Sequence, residues 1–226
     1  MALLDSWYPV TGDFGLIDAP RERFASAYHQ WHCDLETRPS RAEVSTSLSA
    51  AFEALPPLSM GLYRSLFIST RNGWTAFFRS GLLGSDPSPV MGVFAGQFGC
   101  QAMRVCTPPG GGAIWEVYAP ESMGGAPPLL FRRTIANCDD GGWVFEQSGE
   151  PFPFEDLDRY RARRTRDRFD AALLSRYLGE FGLDAFNEDF YTVDAATPAI
   201  VIEDGVRHAA FEEFTLQQAR ARRPRG

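Results

Sequence analysis

The sequence contains no lysine: all 22 of its basic residues are arginine. That absence removes the chemistries that need a lysine amine, among them Schiff-base formation, a pyridoxal site, a P-loop and the phosphate lysine of kinases. Cysteine is scarce too, with four in 226 residues and no C-x-x-C pair, so neither a familiar zinc spacing nor a disulfide scaffold is legible. A bridge from Cys100 to Cys106 would have to span an expected strand of about 20 Å, so free thiols are expected. No apolar run approaches the roughly 18 residues of a membrane span. The opening MALLDSWYPV lacks the basic and apolar regions of a signal peptide, so a cytoplasmic location is expected. No G-x-S-x-G elbow or D-x-D-x-D-G loop occurs, and Gly110–Gly112 and Gly124–Gly125 read as turns rather than phosphate loops.

What remains is an acidic, aromatic-rich chain. Twenty-nine Asp and Glu against 22 Arg give a net charge of −7 at pH 7, and 44% of the residues are hydrophobic. Length and composition fit one core, so a single α+β domain over residues 1–226 is expected, with a loose basic tail at about 220–226. The acidic balance argues against general nucleic-acid binding, which needs a basic face, and favours a basic protein partner.

The stretch from Arg64 to Cys106 is the most legible. RSLFISTR, Asn72-Gly73 and WTAFFR make a hairpin, because a type I′ turn needs positive φ at both central residues. Aromatics on both faces of the second strand place it inside a sheet. Asp86-Pro87 opens a helix over about 87–98, with Val90, Val93, Phe94 and Phe98 on one side and Gly99 as its stop. Strands follow at 101–106, 113–119, 129–136 and 142–146.

Upstream, two helices are expected. Asp18-Ala19-Pro20 starts one that carries Phe24, Tyr28, Trp31 and Leu35 on a stripe. Ser40 and Glu43 form an S-x-x-E capping box for the other, which carries Val44, Leu48, Phe52 and Leu55. A C-terminal helix at about 169–181 buries Leu173, Leu174, Tyr177, Leu178 and Phe181, and AIVIEDGVRHAAF suggests a last hairpin turning at Asp204-Gly205. The fold class is therefore α+β: a central antiparallel sheet of about six or seven strands with these four helices.

Few constellations carry chemistry. His29 and Cys33 stand four apart on a helix but lack a second ligand pair, so no metal or cofactor is expected. The arginine run of residues 159–168 has an anion-binding reading on Arg161, Arg163 and Arg164. Against it, six arginines face five carboxylates over residues 155–170, which favours a solvated helix face with Glu155–Arg159 and Arg163–Asp167 pairs. Seven acidic residues and no arginine lie between Tyr177 and Val206. Asp184, Phe186, Glu188, Asp189, Phe190 and Tyr191, with Asp139 and Asp140, are the candidate partner-binding residues, since aromatics supply contact area and carboxylates steer a basic partner.

Two resemblances are visible. From Thr11 to Gly182 the element order, with Asp18-Ala19-Pro20 after FGLI, resembles the helix-grip fold of START and Bet v 1-type proteins, which implies an apolar ligand cavity within the sheet. The inserted helix at 87–98 and some 45 added C-terminal residues depart from that pattern. NGWTAFF, GSDP and the general character resemble small acidic α+β bacterial proteins of unknown function, among them immunity proteins of polymorphic toxins. The sequence reading is a non-enzymatic cytoplasmic binding protein, an immunity protein that blocks a toxin domain. The alternative is a helix-grip-like carrier or cyclase-type enzyme with a small-molecule cavity.

Overall fold

The computed structural model describes residues 3–126, 130–205 and 212–222. In chain order its elements are α1 (Leu3–Trp7), β1 (Asp13–Ile17), α2 (Arg21–Asp34), β2 (Ser40–Val44), α3 (Leu48–Glu53), β3 (Leu58–Ser59), β4 (Arg64–Thr70) and β5 (Thr75–Arg79). Then come α4 (Ser88–Phe98), β6 (Ala102–Cys106), β7 (Ala113–Tyr118), β8 (Phe131–Asp139), β9 (Trp143–Ser148), α5 (Ala171–Gly179), β10 (Tyr191–Thr192), β11 (Ala199–Glu203), β12 (Glu213–Phe214) and α6 (Leu216–Arg222).

One antiparallel sheet dominates, in the order β2-β11-β4-β5-β1-β6-β7-β8-β9, with β10 pairing on β4 beside β11. The α+β class holds, but the sheet has ten strands rather than six or seven. Both faces of its central strands are covered. On one, α2 and α4 lay Phe24, Tyr28 and Phe94 onto Phe67 and Phe77. On the other, Phe52 of α3 and Leu174 and Tyr177 of α5 join Phe14, Phe78 and Trp115. Strands β1, β4 and β5 are therefore buried almost throughout, which is why their sequences are apolar on both sides. Gly15 fixes how closely α4 can lie, because a Cβ there would stand 2.6 Å from Met91 Sδ. Truncating Phe24, wholly buried among four other rings, would remove about 3–5 kcal/mol.

The Asn72-Gly73 hairpin forms, but not through the expected type I′ turn: Gly73 has positive φ, at +88°, and Asn72 does not, and the loop closes with Gly73 N–H on Thr70 O at 3.1 Å and Thr70 N–H on Trp74 O at 2.9 Å. Gly99 closes α4 at φ +64°. Two expected caps do not form: the N-cap positions of α2 and α4 are Pro20 and Pro87, with no side-chain cap from Asp18 or Asp86. The S-x-x-E box is a correction. Ser40–Val44 is a strand that pairs with β11, its Arg41 tied to Glu22 of α2 at 2.7 Å, and the helix begins only at Leu48, where Ser47 accepts a bond from the Ala50 N–H. Non-local pairing outweighs a local cap signal here. The C-terminal helix is shorter than expected, starting after Asp170, whose carboxylate caps Leu173 N–H at 2.8 Å. Part of the expected basic tail is helical in α6, and Arg220 donates to the carbonyls of Ser6 and Tyr8. Residues 223–226 and the return half of the expected last hairpin lie outside the described residues.

Candidate functional site

The sheet brings three single charges together, one from each of three otherwise apolar strands. In β1, β6 and β7, Gly15, Arg104 and Glu116 are in register, and Asp13 lies two pairs further along on the same face, opposite Cys106. Arg104 grips Asp13 with two bonds, Nε to Oδ1 at 2.9 Å and Nη2 to Oδ2 at 2.7 Å. Its guanidinium also faces Glu116 at 3.5 Å and Asp86 at 3.9 Å. Glu116 in turn accepts bonds from Ser88 Oγ at 2.8 Å and Tyr118 OH at 2.6 Å, which ties the first residue of α4 to the cluster. Asp86 is held at φ +35°, a region where a non-glycine residue is strained.

Asp13, Asp86 and Arg104 of this cluster line a cleft of about 650 Å³ at one end of the sheet. Leu83, Pro9, Pro108, Pro109 and Ile114 supply an apolar wall. Four carboxylates, Asp13, Asp86, Asp139 and Asp140, face two cations, Arg104 and Arg222, so the cleft carries a surplus of negative charge. Burial pushes the Asp13 carboxyl above its ordinary value against the pull of Arg104, with Asp86 and Glu116 adding to the rise. Burial works against the Arg104 charge, but the hydrogen bonds and fields of Asp13 and Glu116 hold its pKa above normal. Burial and the adjacent Glu116 also raise the Tyr118 phenol. The arrangement suits a cation: carboxylates outnumber the arginines, and Arg104 is already paired.

A second cluster closes the C-terminal turn of α2 onto the sheet. His32 Nε2 stands 3.4 Å from Asp204 Oδ1, and Arg79 Nη2 stands 3.7 Å from Asp204 Oδ2 while its guanidinium stacks 4.1 Å over Tyr63. Burial lowers His32 to about 4, helped by Arg79, and raises Asp204 to about 6 against Arg79. At pH 7 the imidazole is neutral and the carboxylate ionised. Tyr28 OH and Ser65 Oγ meet at 3.0 Å, both fully buried.

The candidate residues divide. Asp139 and Asp140 are exposed at the β8–β9 turn and border the cleft. Asp184, Glu188 and Asp189 are exposed elsewhere, Glu188 lining a shallow cleft of about 220 Å³ with Trp7 and Leu48. The structure does not bring these two acidic groups into one site. Phe190 and Tyr191 are buried rather than presented to a partner, and Phe186 is half-buried against Phe14. The reason is that the loop returns to the sheet: Tyr191 pairs with Thr70 and its OH donates to Ala185 O at 2.6 Å.

Arg161, Arg163 and Arg164 are exposed, on short 3₁₀ turns and irregular chain rather than a helix. Arg161 lies 3.6 Å from Asp158, whereas Arg163 and Arg164 make no ion pair among the described residues. The expected helical pairs are replaced, since Glu155 goes to Arg133 and Arg159 to Asp170. No disulfide joins any of the four cysteines, and His29 and Cys33 approach to 3.7 Å. Among the described residues no group of three His, Cys, Asp or Glu is placed to hold a metal ion. No helix among them is long and apolar enough to cross a membrane.

Sequence reasoning missed Asp13, Arg104 and Glu116. The signal that could have found them is a lone charge inside each of three apolar strands, DFGLI, AMRVC and AIWEVY, since such a charge needs a partner when its strand is buried. No protein-family model, curated protein or solved structure matches the chain.

Proposed function

We propose that the protein is a non-enzymatic binding protein that takes a basic segment of a partner protein at the acidic cleft, and that its partner is a toxin domain neutralised by direct binding. The observation that carries the reading is the surplus of carboxylates around Arg104, with Asp139 and Asp140 exposed at the mouth. An apolar wall beside acidic groups matches an arginine or lysine side chain, which offers an aliphatic stem and a cationic head. The toxin is the biological expectation that the acidic character supports; the cleft supports only the chemistry of the contact.

The carrier reading has less support. The space beneath the β4–β5 hairpin is filled on one face by Phe24, Tyr28, Phe67 and Phe77 and on the other by Phe14, Phe52 and Phe78, all buried. The test is co-expression with the product of a neighbouring toxic gene, followed by co-purification. Growth rescue and a complex weakened at least tenfold by Asp86→Asn, Asp139→Asn and Asp140→Asn together are expected. A complex indifferent to all three substitutions and to salt would sink the reading.

A further inference from the structure

We infer that the open edge of β9 is a strand-addition site, which accepts an extended segment of a partner protein with basic residues on one face and apolar residues on the other. The inference rests on the basic-partner reading above and specifies how that partner is held.

The two edges of the large sheet are built differently. At one, β2 carries Arg41 and Glu43, with Arg41 bonded to Glu22 at 2.7 Å and 3.7 Å from Glu43, the kind of charge that blunts an edge. At the other, β9 pairs with β8 from Trp143 to Ser148 without a bulge, and among the described residues no strand lies on its outer side. WVFEQS contains no proline and one charge, Glu146. A regular, unguarded strand of this kind offers its outer backbone groups to another chain.

Its two faces specify the occupant. Trp143, Phe145 and Gln147 point to one side, where Phe145 meets Tyr160 at 5.4 Å and lies under Arg168. Trp143 and Phe145 are only half-buried, so apolar side chains on an added strand would sit directly beside them and complete their cover. Val144 and Glu146 point to the other side, that of their partners Cys138 and Ala136, and Cys138 and the turn at Asp140 lead from it into the acidic cleft, where the added strand would present arginine or lysine. A second copy of this chain fits less well, because pairing β9 with β9 would bring Glu146 and the acidic turns of two molecules of charge −7 together.

The experiment uses the full chain and three eight-residue probes: alternating Arg-Val, the same peptide with every backbone amide N-methylated, and alternating Glu-Val. Binding is measured by calorimetry at physiological salt, and amide exchange is read residue by residue. The inference expects Arg-Val to bind and to slow exchange within residues 143–148 at least tenfold. N-methylation, which keeps every side chain and charge, should weaken binding more than tenfold. Exposed Glu146→Arg should weaken Arg-Val about tenfold with unchanged thermal unfolding.

The inference is overturned by any of four results: equal binding of the N-methylated peptide, equal binding of Glu-Val, no binding of Arg-Val, or protection of 143–148 that grows with protein concentration alone. If Arg-Val binding depends on Asp139 and Asp140 but leaves β9 unprotected, strand addition fails while the basic-partner reading stands. If β9 is protected as expected but the toxin complex ignores Asp86, Asp139 and Asp140, strand addition stands and the cleft reading falls.

Discussion

Arg104 and Arg133 are both arginines on strands of one sheet, pointing to opposite faces, and each grips a carboxylate with two nitrogens. Around Arg133 every position is taken. Its Nη1 donates to the carbonyls of Ser148 and Gly149 at 3.0 Å, and its Nη2 to Gln147 at 2.6 Å. Glu155 also accepts from Phe152 N–H and Tyr160 OH, both at 2.9 Å. The pair is 1% and 0% exposed, so it serves to pin the segment from Phe152 to Tyr160 across the sheet. Arg104, 18% exposed, has more carboxylate around it than it can neutralise, and it opens on a cleft. A saturated ion pair makes structure, whereas an accessible one with charge left over can make a contact.

The largest expected effect breaks the saturated pair. Arg133→Met leaves Glu155 buried and unpaired, and denaturant unfolding should show a loss of about 3–5 kcal/mol. Adding Glu155→Met should recover part of it, because no stranded charge remains. Arg104→Met should cost less, about 1–3 kcal/mol, since Glu116 keeps the Ser88 and Tyr118 donors and Asp13, 10% exposed, keeps some solvent. It should also tighten a basic partner by making the cleft more negative. A stability loss as large as that of Arg133→Met would erase the distinction between the two sites.

Asp204 sharpens the comparison through pH. Its folded pKa, raised to about 6 by burial, lies above the unfolded value of about 4, so its contribution to stability falls as pH rises between those values. His32, lowered to about 4, contributes oppositely, its share rising from about pH 4 to 6.5. Asp204→Asn removes only the falling share. Stability at pH 7 minus that at pH 4 should therefore increase over the parent by on the order of 1–3 kcal/mol in urea melts at the two pH values. An unchanged difference would mean that Arg79 and His32 satisfy this carboxylate as fully as Arg133 satisfies Glu155.

The smallest expected effect on stability belongs to the cleft mouth. Asp139→Asn and Asp140→Asn should each stay within about 0.5 kcal/mol of the parent. Calorimetry on the same variants should still show the partner weakened.

Local signals carried much of the fold. The Asn72-Gly73 turn, the Gly99 stop and the strands from Ala102 to Ser148 all express short-range rules, and each appears close to where its residues place it. The elements that were missed depend on distant partners. Ser40–Val44 becomes a strand only because Ala199–Glu203 pairs with it, and Tyr191-Thr192 is too short to show any period. The site was less legible for the same reason: Asp13, Arg104 and Glu116 meet through the order β1-β6-β7, which no spacing in the chain records. Aromatics between Phe186 and Tyr191 were misplaced because a polar loop sequence says nothing of the sheet it folds back on.

The position of β11 has a consequence for synthesis. Residues 199–203 fill the gap between β2 at 40–44 and β4 at 64–70, so the early part of the sheet cannot close until they have been made. Until Ala199–Glu203 arrives, β4 presents Leu66, Phe67 and Ile68 along an unpaired edge, a surface prone to association between nascent chains. Closure of the sheet thus waits for a late strand, and a chain stopped short of Ala199 would lack the strand that joins β2 to the rest of the sheet.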